Sequence, residues 1–120
     1  MKHDIESKQD LTRLVDAFYA QLLLLDGMPA VFEGLNFEAH KPRIVQFWAF
    51  VLLDESGYTT NVFDRHLHLP IKLNMFQQWL QTFVATVNDL FEGEKAQMAI
   101  QRATVLTFTF ESKWQKLKPE

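Results

Sequence analysis

The sequence contains no cysteine, and its 120 residues include only four glycines and four prolines. Without cysteine there is neither a disulfide framework nor a thiolate metal site, and this composition fits a reducing cytoplasm. So few glycines and prolines leave little that breaks the chain into turns, which favours helices over short strands. We therefore expect a cytoplasmic protein with a single domain over residues 1–120.

An excess of positive charge and a long apolar run are also missing. Lys and Arg total 12 against 15 Asp and Glu, so the chain lacks the positive field with which nucleic-acid binders displace counterions. The longest apolar run, residues 47–53, is far shorter than the ~20 residues that cross a bilayer, and the N-terminus has no apolar signal core. We expect a soluble, unprocessed chain with no nucleic acid and no membrane as partner.

Phenylalanine, in contrast, is abundant, with 11 residues. Apolar residues recur at steps of three and four, which predicts amphipathic helices over 11–25, from about 42 to 54, and over 76–91. Pro42 permits the second helix to start near residue 39 or 40 and argues against an earlier start. Residues 1–9 show no period and are expected to fray.

The last segment is locally ambiguous. Residues 104–110, Thr-Val-Leu-Thr-Phe-Thr-Phe, have the β-branched and aromatic content of a strand. Apolar residues across 96–117 nevertheless step by four and three, and a single strand would have no partner in this chain. We predict a helix there, and hence an all-α fold of four long helices and two short ones, near Pro29 and over 63–68.

Three histidines lie beyond the N-terminal segment, and two of them flank Leu67. His66 and His68 are two apart in a predicted helical turn, so at most one of them can point into a given pocket, and spacing does not say which. The alternative is a polar surface turn anchored by Leu67. The sequence shows no glycine-rich phosphate loop, di-metal carboxylate set or His-Glu-x-x-His zinc motif.

Tyr19, His40 and Trp79 are polar-tipped residues on the apolar faces of three different helices. Each alone is more often a core residue, with its ring buried and one end hydrogen-bonded. Together they predict a small cluster of donors in a Phe-rich hollow. An inward His, apolar walls and convergent donors are what a haem pocket requires.

Several short motifs occur in a specific order between residues 11 and 114, nearly the whole chain. They are Phe18-Tyr19, His40 seven residues ahead of Phe47-Trp48, His66 ahead of Leu69-Pro70, Phe76-x-x-Trp79-Leu80-x-x-Phe83, and Phe91-x-Gly93-x-x-Ala96-x-x-Ala99-x-x-Arg102-Ala103. In this order and separation the chain resembles the group III truncated haemoglobins. The resemblance implies a truncated globin, a two-over-two helical sandwich with a haem b cofactor.

The resemblance also implies roles for individual residues. His66 corresponds to the proximal iron ligand, which leaves His68 on the surface. The remaining cofactor-binding residues would be Tyr19, His40 and Trp79 on the distal side and Phe18, Phe32, Phe47 and Phe83 in the apolar wall. The implied ligands are O₂, NO and other diatomics, with NO-detoxifying or peroxide-activating chemistry and a reductase as candidates, on a monomer or weak dimer.

The chain departs from the family pattern at two positions near the expected haem edge. Met75 and Gln78 stand where the family usually has His and Arg, so the contacts to the haem propionates change; Lys41, Arg43 and Lys72 are candidate substitutes. Residues 26–29, Asp-Gly-Met-Pro, replace the usual Asp-Pro-Leu-Leu. The alternative function is a cofactor-free helical interaction module whose aromatics are simply core.

Overall fold

In a computed structural model of the chain, residues 2–31, 37–54 and 73–117 are described, and these contain helices and no strand. The all-α prediction is confirmed. The first helix, α1, packs on the third, α3, and the fourth, α4, packs on the fifth, α5; α1 also contacts α4, and α3 contacts α5, which stacks one pair over the other. The helices are α1 (Lys8–Leu22), α2 (Met28–Val31), α3 (Phe37–Leu52), α4 (Leu73–Leu90) and α5 (Glu94–Leu117).

The first helix, α1, begins and ends where local chemistry favours it. The Ser7 hydroxyl accepts a hydrogen bond of 3.2 Å from the backbone N–H of Asp10, which satisfies one of the unpaired N–H groups at the helix start. The turn after Leu22 passes through Gly27 at φ +83°, a conformation that favours glycine. The face that the period predicts is buried, namely Leu11, Leu14, Val15, Phe18 and Leu22.

The third helix, α3, begins at Phe37, earlier than Pro42 was expected to allow. Pro42 is the sixth residue of the helix, so it lies inside the helix rather than in its first turn. Proline has no N–H to donate to the carbonyl four residues back, and α3 tolerates this loss so close to its N-terminus. The predicted start at residue 39 or 40 is therefore wrong by two to three residues.

The fourth helix, α4, is amphipathic rather than apolar all round. Phe76, Phe83 and Val87 are buried, whereas Gln77 and Gln81 are exposed. Across the ranges that the structure describes, no helix is both long and apolar enough to cross a membrane.

The fifth helix, α5, includes the segment with strand-like composition, and the helix prediction is confirmed. Its inner face is lined by small residues, with Ala96, Ala99 and Ala103 all at most 1% exposed, which lets α4 approach closely. The hydroxyls of Thr104, Thr107 and Thr109 each donate to the carbonyl four residues back, so these side chains are satisfied within the helix.

The N-terminal segment does not fray as expected over the residues that are described. Ile5 is 1% exposed, and the ammonium of Lys2 donates to the carbonyl of Asn88 in the last turn of α4 (2.7 Å). The backbone N–H of Glu92 donates to the carbonyl of His3 (3.0 Å). The sequence shows no helical period here because these residues pack across the α4–α5 corner without forming a helix.

Asp4 caps the N-terminus of α5 from 91 residues away. The backbone N–H groups of Lys95 and Ala96 donate to its two carboxylate oxygens, each at 2.8 Å, and the N–H of Ile5 donates at 2.9 Å. Burial opposes ionisation, but these three hydrogen bonds outweigh it and lower the pKa of Asp4. Gly93, at φ +146°, makes room for the carboxylate, because a Cβ there would lie 2.5 Å from Cγ of Asp4.

Several sequence-based expectations concern residues outside the described ranges. These are the short turn over 63–68 with His66 and His68, and the side chains of Phe32 and Lys72.

Candidate functional site

The adjacent helices α1 and α3 bring Tyr19 and His40 into direct contact. The Tyr19 hydroxyl oxygen and Nε2 of His40 are joined by a hydrogen bond of 2.7 Å, across 21 residues of sequence. Tyr19 is 5% exposed, whereas His40 is half-buried. The sequence placed both on apolar faces of separate helices, and the packing of α1 on α3 is what pairs them.

Burial stabilises the neutral form of the Tyr19 hydroxyl. Burial raises the pKa of the Tyr19 hydroxyl above its ordinary range, because the phenolate would lose its hydration. At neutral pH the group is therefore a protonated phenol. In the imidazole tautomer whose Nε2 carries no proton, the hydroxyl donates to Nε2 of His40. When Nε2 of His40 is itself protonated, it donates to the phenol oxygen and leaves the phenol proton for another acceptor.

Phe18 lies at the centre of an aromatic cluster that surrounds this pair. Its ring centroid is 5.2 Å from that of Tyr19, 5.5 Å from that of Trp79 and 5.4 Å from that of Phe83. Phe83 stacks with two indoles, that of Trp79 at 5.6 Å with an interplanar angle of 8° and that of Trp48 at 5.0 Å with 17°. Helices α1, α3 and α4 thus meet on one continuous aromatic surface.

One buried member of this cluster, Trp48, is absent from the sequence-based list of wall residues. Trp48 is 3% exposed. Its place directly after Phe47 in the apolar period of α3 is the signal that could have added it. Phe83, which is on that list, is 2% exposed and stacks with both tryptophans, so protein side chains already contact its ring. Phe47 is half-buried and packs edge-on against Trp48 at 5.2 Å.

Trp79 combines a buried ring face with an available donor. The residue is half-buried, and its indole contacts Phe18 and Phe83. Within residues 2–31, 37–54 and 73–117, no acceptor forms a hydrogen bond with the Trp79 indole N–H. A half-buried indole normally directs its N–H to a partner, so Trp79 can offer a hydrogen bond to a group bound beside the cluster.

Three of the residues expected at the haem edge, Lys41, Arg43 and Met75, differ in their exposure and contacts. Lys41 forms an ion pair of 3.0 Å with Asp16, so its charge is already engaged on the α1–α3 surface, whereas Arg43 is exposed. Met75 is 7% exposed, and its terminal methyl lies near Gly27 in the turn after α1. Met75 thus fills space below that turn.

A cavity of about 710 Å³ bounded by described residues is found where the N-terminal segment meets the end of α4. Its charged lining residues are of both signs, so it offers no consistent field for a ligand. They are Lys2, Arg13, Asp89 and Glu92. No group of three or more His, Asp or Glu side chains in the described ranges could hold a metal ion.

Comparison with curated proteins finds a relative of nearly the same length. The group 3 truncated haemoglobin ctb of Campylobacter jejuni is 25% identical to this chain over 119 residues, which cover 93% of this chain and 94% of the relative. The chain is a homologue of a group 3 truncated haemoglobin. No family model matches the sequence.

The same relationship is seen in three dimensions. The crystal structure of the group III truncated haemoglobin from Campylobacter jejuni superposes on this chain with a TM-score of 0.87 at 24% identity, and each chain is covered completely. The resemblance and the truncated globin fold that it implied are both confirmed. In this fold, Tyr19, His40, Trp79, Phe18, Phe47 and Phe83 lie on one contiguous aromatic surface.

Proposed function

We propose that this chain is a haem protein that binds O₂ and related diatomic ligands, with His66 as the iron ligand and Tyr19, His40 and Trp79 on the ligand side. The homology to a group 3 truncated haemoglobin supports the cofactor. The single observation that best supports the ligand side is the half-buried hydrogen bond of 2.7 Å between Tyr19 and His40 beside the aromatic cluster.

The residues present fit a haem group. A buried tyrosine that serves only the core needs one partner for its hydroxyl, but here the partner is another titratable side chain, and the nearby Trp79 N–H adds a second donor. The rings of Phe18 and Phe47 offer flat apolar contact of the kind that a macrocycle needs. Because the chain has no cysteine, thioether attachment is excluded, which favours the non-covalent haem b.

Bound haem would supply an iron centre that coordinates a diatomic ligand and exchanges electrons. The Tyr19 hydroxyl is a protonated phenol at neutral pH, so it can donate to a ligand that has gained negative charge. The Trp79 indole N–H can do the same. Hydrogen bonds to charged groups contribute roughly 1.5–3 kcal/mol each, which corresponds to about a ten- to hundredfold slower ligand release.

Slow release argues for a particular use of the bound ligand. A transport protein must release its cargo readily, whereas two or three donors beside the ligand would retain it. We therefore infer sensing or redox chemistry, such as NO dioxygenation or peroxide activation, with a reductase to restore the reduced state. The absence of cysteine favours the cytoplasm as the location of this chemistry.

The decisive experiment compares two histidines that lie close in sequence. The purified protein with haem should show a strong Soret band, and His66→Ala should abolish or strongly shift it because the axial nitrogen is removed. His68→Ala is the matched control and should leave the band unchanged. Equal effects of the two substitutions would overturn the assignment of the iron ligand.

Thermal unfolding separates a haem protein from the alternative of a cofactor-free helical module. A ligand that binds the native state raises its stability, so the melting temperature should rise when haem is added to the apoprotein. An unchanged melting temperature, with no Soret band after reconstitution, would instead favour the interaction module.

A further inference from the structure

Residues 104–110 of α5 have a composition that suits two secondary structures. The segment is Thr-Val-Leu-Thr-Phe-Thr-Phe, with no charge, glycine or proline. Threonine, valine and phenylalanine favour strands over helices. A window of this length, composition and low charge is typical of segments that assemble into intermolecular β-sheets.

The helical form buries only some of the apolar side chains of this segment. Phe110 is 8% exposed, but Phe108 is 71% and Val105 is 58% exposed, because residues three apart in a helix share a face and this one points outward. Alternation along a strand would arrange the side chains differently. Leu106, Phe108 and Phe110 would share one apolar face, with Val105, Thr107 and Thr109 on the other. The strand form would therefore bury Phe108, which the helix leaves exposed.

The helix is favoured by burial of Thr107 and Phe110 within the segment and by packing before it. Ala96, Ala99 and Ala103 are all at most 1% exposed against the neighbouring helices, and Asp4 caps the start of α5. Within the segment the described hydrogen bonds of the threonine hydroxyls are local, to the carbonyl four residues back. Charged residues, Arg102 and Glu111, flank the segment, an arrangement that limits β-assembly without abolishing it.

We propose that residues 104–110 form an intermolecular β-sheet between copies of this chain when α5 separates from α4. A single strand lacks a partner within one chain, and a second copy supplies it. Identical segments can stack in register, because they carry no charges that would repel one another. Native packing of α5 is thus a barrier to self-assembly as well as a part of the fold.

The test uses the full haem-loaded chain, incubated at its urea unfolding midpoint and followed by thioflavin T fluorescence and the amide I infrared band. Wild-type protein should form β-rich aggregates. Phe108→Lys should slow their formation at least about tenfold, because it places a charge on the apolar strand face. Leu24→Lys, at a residue that is 77% exposed in the turn after α1, is the matched control and should leave the rate unchanged.

A second variant distinguishes strand pairing from pairing of intact helices. Val105 and Phe108 share the outward face of the helix but would lie on opposite faces of a strand. Val105→Lys should therefore slow assembly by less than about threefold, with each variant held at its own midpoint so that stability is matched. Equal slowing by Val105→Lys and Phe108→Lys, or wild-type aggregates without the infrared signature of β-sheet, would overturn the proposal.

Discussion

The aromatic cluster contains Tyr19, and the start of α5 is capped by Asp4. Both polar side chains link elements that are distant in sequence, but their hydrogen-bond partners differ in kind. Asp4 accepts hydrogen bonds from three backbone N–H groups, so its position is set by the fold alone. Tyr19 bonds to the side chain of His40, which can change its protonation state. A polar group satisfied by backbone stabilises structure, whereas one satisfied by a titratable side chain can also engage a ligand.

The largest effect should come from Gly93, which makes the Asp4 cap possible. Gly93→Ala places a methyl group 2.5 Å from Cγ of Asp4 at φ +146°, so it should strain the backbone and displace the cap. We expect a loss of about 2–4 kcal/mol in the free energy of unfolding, measured by urea denaturation.

A second substitution separates the two causes of that loss. In the double variant Asp4→Gly/Gly93→Ala the steric conflict is absent, so the two single effects should sum to more than the measured loss. Additive losses would mean that backbone strain alone is responsible and that Gly93 has no specific relation to Asp4. Gly27→Ala, where the nearest atom is the flexible methyl of Met75 at 3.2 Å, should cost less than Gly93→Ala.

Tyr19→Phe should affect ligand release strongly and stability only slightly, in contrast to Gly93→Ala. The ring remains buried and only the hydroxyl is lost, so the free energy of unfolding should fall by only about 0.5–1.5 kcal/mol. Release of O₂ should accelerate about ten- to hundredfold, as measured by stopped-flow with the ferrous protein. Trp79→Phe should accelerate it as well, and an off-rate unchanged in both variants would contradict the proposed roles of these donors.

The smallest effect should be the acid dependence contributed by Asp4. Its pKa is lowered in the folded state, so the unfolded state binds the proton more readily. Its contribution to stability is therefore fully present above the unfolded pKa of ~3.9 and is lost as pH falls through the folded pKa. Asp4→Asn should cost about 1 kcal/mol at pH 7. That difference from wild type should shrink towards pH 3, and a difference that stays constant with pH would contradict this account.

Local periodicity was enough to predict α1, α4 and α5, including the segment of α5 whose composition suggests a strand. The start of α3 was predicted less well. Pro42 indicates a start no earlier than residue 39, yet α3 begins at Phe37. One missing hydrogen bond near a helix end costs little, so Pro42 does not limit the helix there. Residues 2–7 were expected to fray, since their stabilising contacts are with residues about 90 positions away.

In the candidate site too, the sequence predicted individual residues but not the contacts between them. The sequence identified Tyr19, His40 and Trp79 as polar-tipped residues on apolar faces, and the family resemblance identified His66 as the iron ligand. It did not indicate that Tyr19 bonds directly to His40, that Phe83 stacks with both Trp48 and Trp79, or that Lys41 pairs with Asp16. These pairings depend on how α1, α3 and α4 are oriented, which no spacing within one helix specifies.

Helix content, the buried faces and the candidate donors follow from residue spacing, because apolar burial imposes a period on each helix separately. Which donors meet, and which polar groups are capped, depends on contacts between segments 21 to 92 residues apart. Such contacts form only when packing of the whole chain brings those segments together. The assignment of Asp4 to structure and of Tyr19 to the candidate site could therefore be made only from the folded molecule.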